Sequence, residues 1–165
     1  MDSELARAWQ VLGTVPDPEI PVISIVELGV VRSVRLEAEQ LIVDITPTYA
    51  GCPALEQMRS DALAALQAAG FSARIHTVLS PAWSSHWLSE TTHEKLRQYG
   101  IAPPHTTTAH SVKPLHFHVP SDYTPACPQC ASRATEKLSE FGSTACKALY
   151  RCLNCREPFD YFKPY

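Results

Sequence analysis

Leu55, Met58, Ala62, Leu66 and Ala69 recur at a period of about 3.6 along PALEQMRSDALAALQAA, which predicts a helix over 53–69 with one apolar face. Pro53 suits its first position and Gly70 its end. Leu5, Ala8, Trp9 and Leu12 predict an earlier helix over 3–12, with Ser3 as its cap and Gly13 as its stop. VVRSVRL (30–36) and LIVDITP (41–47) read as two strands joined by the polar connection Glu37 to Gln40. FSARIHTVL alternates Ala73, Ile75, Thr77 and Leu79, the pattern of a third strand, and Thr91 or Thr92 could cap a short helix, HEKLRQY, closed by Gly100. Helix, strand, strand, helix, strand and a trailing helix predict an α+β fold, a two-layer α/β sandwich over residues 1–102.

That patterning lapses over 103–120, PPHTTTAHSVKPLHFHVP, which has little apolar surface to bury and is expected to be a linker. Between residues 121 and 165 a second module is expected. ATEKLSEF and STACKALYR can pair around Gly142, and EPFDYF can add a third strand. A module of about forty residues cannot bury much of a core, so it needs a cross-link.

The cysteines supply one. Cys127, Cys130, Cys152 and Cys155 form two C-x-x-C pairs, and two such knuckles on facing hairpins complete a tetrahedral sulfur site. A three-stranded zinc ribbon is the expected result, although four thiolates also hold iron–sulfur clusters. Cys146 is either a small buried side chain or a reserve ligand for the same centre. Four histidines in or beside the linker (His105, His110, His116, His118) invite a metal reading, but irregular spacing favours solvated or packing roles.

Charge narrows the function classes. Against 14 Lys+Arg stand 17 Asp+Glu, a net charge of −3, which argues against a general partner in nucleic acid or anionic membrane. No stretch is apolar enough to span a bilayer, and MDSELARAWQ lacks the form of a secretory signal. A cytoplasmic setting is expected, where paired cysteines usually indicate metal rather than disulfides. In the ribbon, Arg133, Lys137, Lys147, Arg151 and Arg156 alternate with Glu136, Glu140, Glu157 and Asp160. Phe159, Tyr161, Phe162 and Tyr165 are expected to form an exposed protein-docking edge beside them.

Cys52 stands apart from the other five cysteines, immediately before Pro53. One reading puts it at the helix N-cap, where free N–H groups and the helix dipole lower a thiol's pKa and ready it as nucleophile or ligand. The other makes it a buried, inert turn filler. Asp17 and Glu19 lie among three prolines in PDPEIP; they are either positioned carboxylates or, for Asp17, an Asx turn. No motif ties a histidine to Cys52, so a hydrolase is unsupported.

DPEIPVISIVELGVV followed by TPTYAGCPALEQM resembles the metal–sulfur cluster assembly domain family of SufT-like proteins and cytosolic iron–sulfur targeting factors, over about residues 4–80. With TPTYAGCP and SEFGSTACKALYRCLNCREPFDYFK, the whole chain resembles the PaaD family of phenylacetate-degradation accessory proteins. This resemblance implies a non-catalytic maturation factor that helps install the iron–sulfur cluster in the reductase component of the phenylacetyl-CoA epoxidase, a multicomponent monooxygenase. It implies that Cys52 is the functional thiol, with Asp17 and Glu19 as its acidic turn, transiently holding iron or a cluster. It also implies that the four ribbon cysteines are the metal ligands. One thiol cannot hold a cluster alone, so a second Cys52 across a homodimer, thiols from the client, or Asp17 would have to help. Two alternatives stay open: a scaffold component of the epoxidase, and an electron carrier with its cluster in the ribbon.

Overall fold

The structure is a computed structural model and describes residues 2–105 and 123–165. Contacts divide the chain into two units, Met1–Lys95 together with Tyr165, and Leu96–Pro164.

In the first unit, α1 (Asp2–Leu12) precedes a three-stranded sheet of β1 (Val31–Glu37), β2 (Gln40–Ile45) and β3 (Ala73–Thr77), with α2 (Leu55–Ala68) between β2 and β3. The sheet order is β1-β2-β3, β2 running antiparallel to β1 and parallel to β3. Ala38 and Glu39 turn the β1–β2 hairpin, both with positive φ (45° and 66°), the primed-turn geometry whose twist matches paired strands. A parallel partner cannot be reached by a hairpin, so α2 is the required crossover. Its periodic residues Met58, Ala62 and Leu66 are buried, as are Leu41, Val43, Ile45 and Ile75 of the sheet. Burying a side chain the size of Met58 or Leu66 stabilises by roughly 1.5–3 kcal/mol. The other sheet face carries polar groups beside the buried Ile42: Asp44 accepts from Ser33 Oγ at 2.7 Å and pairs with Arg35.

α1 begins at Asp2, so the expected cap, Ser3, lies inside the helix. A second difference concerns α2. It starts at Leu55 with Ala54 as its N-cap, and Pro53 precedes the cap rather than opening the helix. The third helix, α3 (Glu90–Tyr99), is capped by Ser89 and not by a threonine: Thr92 N–H donates to Ser89 Oγ at 3.1 Å. Ser89 was hidden because the charged first turn has no apolar periodicity to mark where it begins.

The second unit contains β4 (Ile101–Ala102), β5 (Thr135–Ser139), β6 (Lys147–Cys152) and β7 (Pro158–Phe162), ordered β4-β7-β6-β5. The three expected ribbon strands pair antiparallel, and β4 adds a short parallel edge on β7. Because β4 joins this sheet, the units divide between Lys95 and Leu96, ahead of the expected boundary at 102. Most of the expected linker, with His110, His116 and His118, lies outside the described residues. His105 packs: its Nδ1 is 2.7 Å from the Tyr161 hydroxyl and its ring lies on Tyr123, with centroids 3.9 Å apart.

Of the four residues expected in an exposed aromatic edge, only Tyr165 is exposed. Phe159, Tyr161 and Phe162 are buried, and the first two join Tyr150, Ala102, Ala148, Cys127 and Cys152 in the unit's small core. A sheet this small has few apolar residues, and burying its aromatics supplies most of the apolar area it can remove from water. Tyr99, Leu138, Phe141 and Leu153 are the exposed large apolar side chains of this unit among the described residues.

Candidate metal centre and the Cys52 site

The CPQC and CLNC turns bring Cys127, Cys130, Cys152 and Cys155 together, all four Sγ atoms within 4.8 Å of one another. Two of the separations are 3.7 Å (Cys127–Cys155) and 3.5 Å (Cys130–Cys152). A tetrahedral ion with metal–sulfur bonds of about 2.3 Å sets sulfur–sulfur edges of about 3.8 Å, so the donor set fits a four-coordinate metal. Backbone N–H groups aim at the sulfurs: Cys155 N–H lies 3.5 Å from Cys152 Sγ. The Ser132 N–H lowers the Cys130 thiol to about 6, against the opposing effect of desolvation and with help from the Asn154 amide and neighbouring sulfurs. Such donors favour the thiolate, the form a metal requires. Cys146 does not join the group. It is buried, with Thr144 Oγ1 at 3.0 Å from its sulfur.

Cys52 lies two residues before the α2 N-cap, in a turn closed by Leu55 N–H on the Cys52 carbonyl oxygen (3.2 Å) and by Cys52 N–H on Tyr49 O (3.2 Å). Gly51 precedes it with φ of +83°, a left-handed conformation that a side chain would strain. The sulfur is buried. Desolvation raises its pKa above the ordinary thiol value, and the Glu19 and Asp17 carboxylates raise it further, while the Ala54 N–H and the Tyr49 hydroxyl oppose them. Of the two readings of Cys52, burial favours the second, a buried thiol held above its ordinary pKa, over the activated thiolate. Desolvation first, and then the two nearby carboxylates, outweigh the N–H and hydroxyl donors.

The acidic turn is held tightly. Asp17 Oδ1 accepts from Glu19 N–H at 2.9 Å and from Ile20 N–H at 2.7 Å, the Asx role considered for it. Asp17 is buried, and both carboxylates lie close enough to Cys52 to act on its charge. Two segments distant in sequence thus share one neighbourhood.

Comparison with known proteins fits both units. A family model described as "Iron-sulfur cluster assembly protein" matches residues 5–76, and one described as "PaaD zinc beta ribbon domain" matches 112–163. The chain is 48% identical over 161 residues to an Escherichia coli (strain K12) protein named as a putative subunit of 1,2-phenylacetyl-CoA epoxidase, covering 97% of this chain and 93% of that one. This chain belongs to the PaaD family. Among solved structures, the domain of unknown function DUF59 from Bacillus anthracis is similar with a TM-score of 0.54 and 26% identity, over 58% of this chain and 92% of that one.

In this PaaD-family chain the spacing of the four ribbon cysteines predicts a tetrathiolate group, and the structure brings all four together. Tyr49, whose hydroxyl reaches the Cys52 sulfur, escaped the sequence reading. Its signal was present in TPTYAGCP, three residues before the cysteine, but a tyrosine in a turn has many other uses. No helix among the described residues is long and apolar enough to cross a membrane.

Proposed function

We propose that this protein is a maturation factor for a phenylacetyl-CoA epoxidase system, assisting iron–sulfur cluster assembly in its reductase component. Cys52 is the transfer thiol, and the four ribbon cysteines hold a structural zinc ion. The observation that carries the reading is the meeting of Cys52 with Asp17 and Glu19 inside the segment matched by the iron–sulfur assembly model. Two carboxylates that help raise a thiol's pKa make a negative field that also draws a cation, and a bound metal displaces the thiol proton. Iron or a cluster is cargo here, handed on rather than kept. Cys52 supplies one sulfur; a second copy of the chain or the client supplies others.

Reductase cluster content in cells lacking the native protein tests this. Restoring wild-type protein should return the cluster, and Cys52→Ser should not. Full cluster content with Cys52→Ser would end the reading. Asp17→Asn would weaken transfer and also loosen the turn it caps, so Glu19→Gln is the cleaner variant.

The Escherichia coli relative is named as part of the epoxidase itself, which supports a second reading, a scaffold within that complex. Stable co-purification with the oxygenase, together with normal reductase clusters in its absence, would favour it. An electron carrier with its cluster in the ribbon would instead contain iron and acid-labile sulfide that survive Cys52→Ser, and dithionite would bleach it.

A further inference from the structure

Tyr165 belongs to the first unit, not to the ribbon it follows in sequence. Its ring lies nearly parallel to that of Tyr49, with centroids 6.3 Å apart and planes 18° from parallel. Trp83 meets it edge-on at 6.2 Å. Three donors converge on the Tyr165 backbone oxygen: Ser85 N–H at 3.1 Å, Ser84 Oγ at 3.3 Å and Ser85 Oγ at 3.3 Å. The receiving surface is itself fixed. Trp83 is buried and donates its indole N–H to Leu28 O at 2.9 Å, and Ser85 is also buried.

We propose that Tyr49, Trp83 and the Ser84–Ser85 turn form a receptor for an aromatic residue and its backbone oxygen, occupied by the chain's own Tyr165, whose seating holds Tyr49 over the Cys52 thiol. The ring supplies stacking area and the oxygen supplies direction, a pairing that recognises an aromatic residue rather than an aliphatic one. Tyr49 links the two functions, since one side chain both reaches the Cys52 sulfur and carries the Tyr165 ring. With Tyr165 seated, Tyr49 is pinned and the thiol is covered. When Tyr165 leaves, Tyr49 regains its rotamers and the thiol opens. Tyr165 is thus a built-in competitor for its own seat, and an aromatic residue of a partner could displace it.

This takes from the proposed function only that Cys52 is the working thiol, and its test does not measure cluster transfer. Full-length, metal-loaded protein is exposed to N-ethylmaleimide, and labelling of Cys52 and Cys146 is followed by mass spectrometry of their peptides. Tyr165→Ala should label Cys52 roughly three- to tenfold faster, the factor expected from losing one aromatic contact, with Cys146 unchanged. Tyr165→Phe keeps the ring and should stay near the wild-type rate. Hydrogen exchange at Ser85 N–H should accelerate in Tyr165→Ala and not in Tyr165→Phe. An unchanged Cys52 rate in Tyr165→Ala would overturn the proposal, as would an equal rise at Cys146, which would mean general loosening. If Cys52→Ser supported full cluster content while Tyr165→Ala still exposed the thiol, the transfer role would fall and the seat would stand.

Discussion

The two units hold small sheets by opposite means. The first has a core of aliphatic side chains, among them Ile25, Val30, Val43 and Leu66, and keeps its one thiol buried with its pKa raised. The second has a core of a few aromatics and small residues and gathers four thiols within reach of one ion. The difference shows that a cysteine's chemistry is set by its neighbours. N–H donors around the knuckles draw Cys130 toward thiolate, whereas desolvation and two carboxylates push Cys52 away from it.

Metal removal should separate the units most strongly. Metal binding to a structural four-ligand site is worth on the order of 10 kcal/mol, far more than the ribbon's aromatics can replace. Chelation, or Cys152→Ala, should collapse the amide resonances of β5–β7 and leave those of β1–β3 dispersed. Loss of both sets together would break the comparison.

Leu66→Ala is the reciprocal experiment. Its side chain is fully buried, so truncation should cost about 2–5 kcal/mol in the first unit. Denaturant unfolding followed at α2 should shift while bound metal per chain stays constant. A smaller effect is expected in the ribbon from Gly142→Ala. The added methyl would collide with the Asp160 carboxylate, which accepts from Ser143 Oγ at 2.9 Å and lies 3.7 Å from the buried Lys147. Overpacking of this kind costs about 1–3 kcal/mol, readable as a lower melting temperature of the metal-loaded protein.

The mildest probe is pH. Because the Cys52 pKa is raised in the fold, its alkylation rate should still be climbing at the pH where that of an ordinary thiol levels. Glu19→Gln removes one of the carboxylates that raise it and should speed labelling about two- to threefold at fixed pH. The preference of the fold for the neutral thiol is a stabilising contribution that is complete below the unfolded thiol's pKa, and it is lost as pH rises through the higher folded value. Melting temperature should therefore decline above pH 9 more in wild type than in Cys52→Ser.

Much of this was legible in the sequence because it depends on local spacing. Two C-x-x-C pairs carry their geometry with them, and the α2 periodicity marks its buried face whatever lies opposite. The charge state of Cys52 was not legible. It depends first on the burial of the sulfur and then on carboxylates more than thirty positions earlier, neither of which Cys-Pro alone reveals. The burial of Phe159, Tyr161 and Phe162 was missed for a related reason: strand alternation does not say whether a small sheet covers one face or both. β4, two residues long, is too short for any pattern to reveal.

The parallel pairing of β2 with β3 also bears on how the Cys52 turn comes into being. Antiparallel β1 and β2 can zip from their two-residue turn as soon as both are made. β3 can join only after the chain has travelled the length of α2, and the Cys52 turn is the first step of that journey. The hairpin thus depends on local contacts, whereas the surroundings of the thiol depend on a strand from beyond α2. Closure of that loop and the arrival of Ile75 beside Val43 are one and the same non-local pairing. Until β3 has paired with β2, the Cys52 turn lacks the completed unit that buries its sulfur.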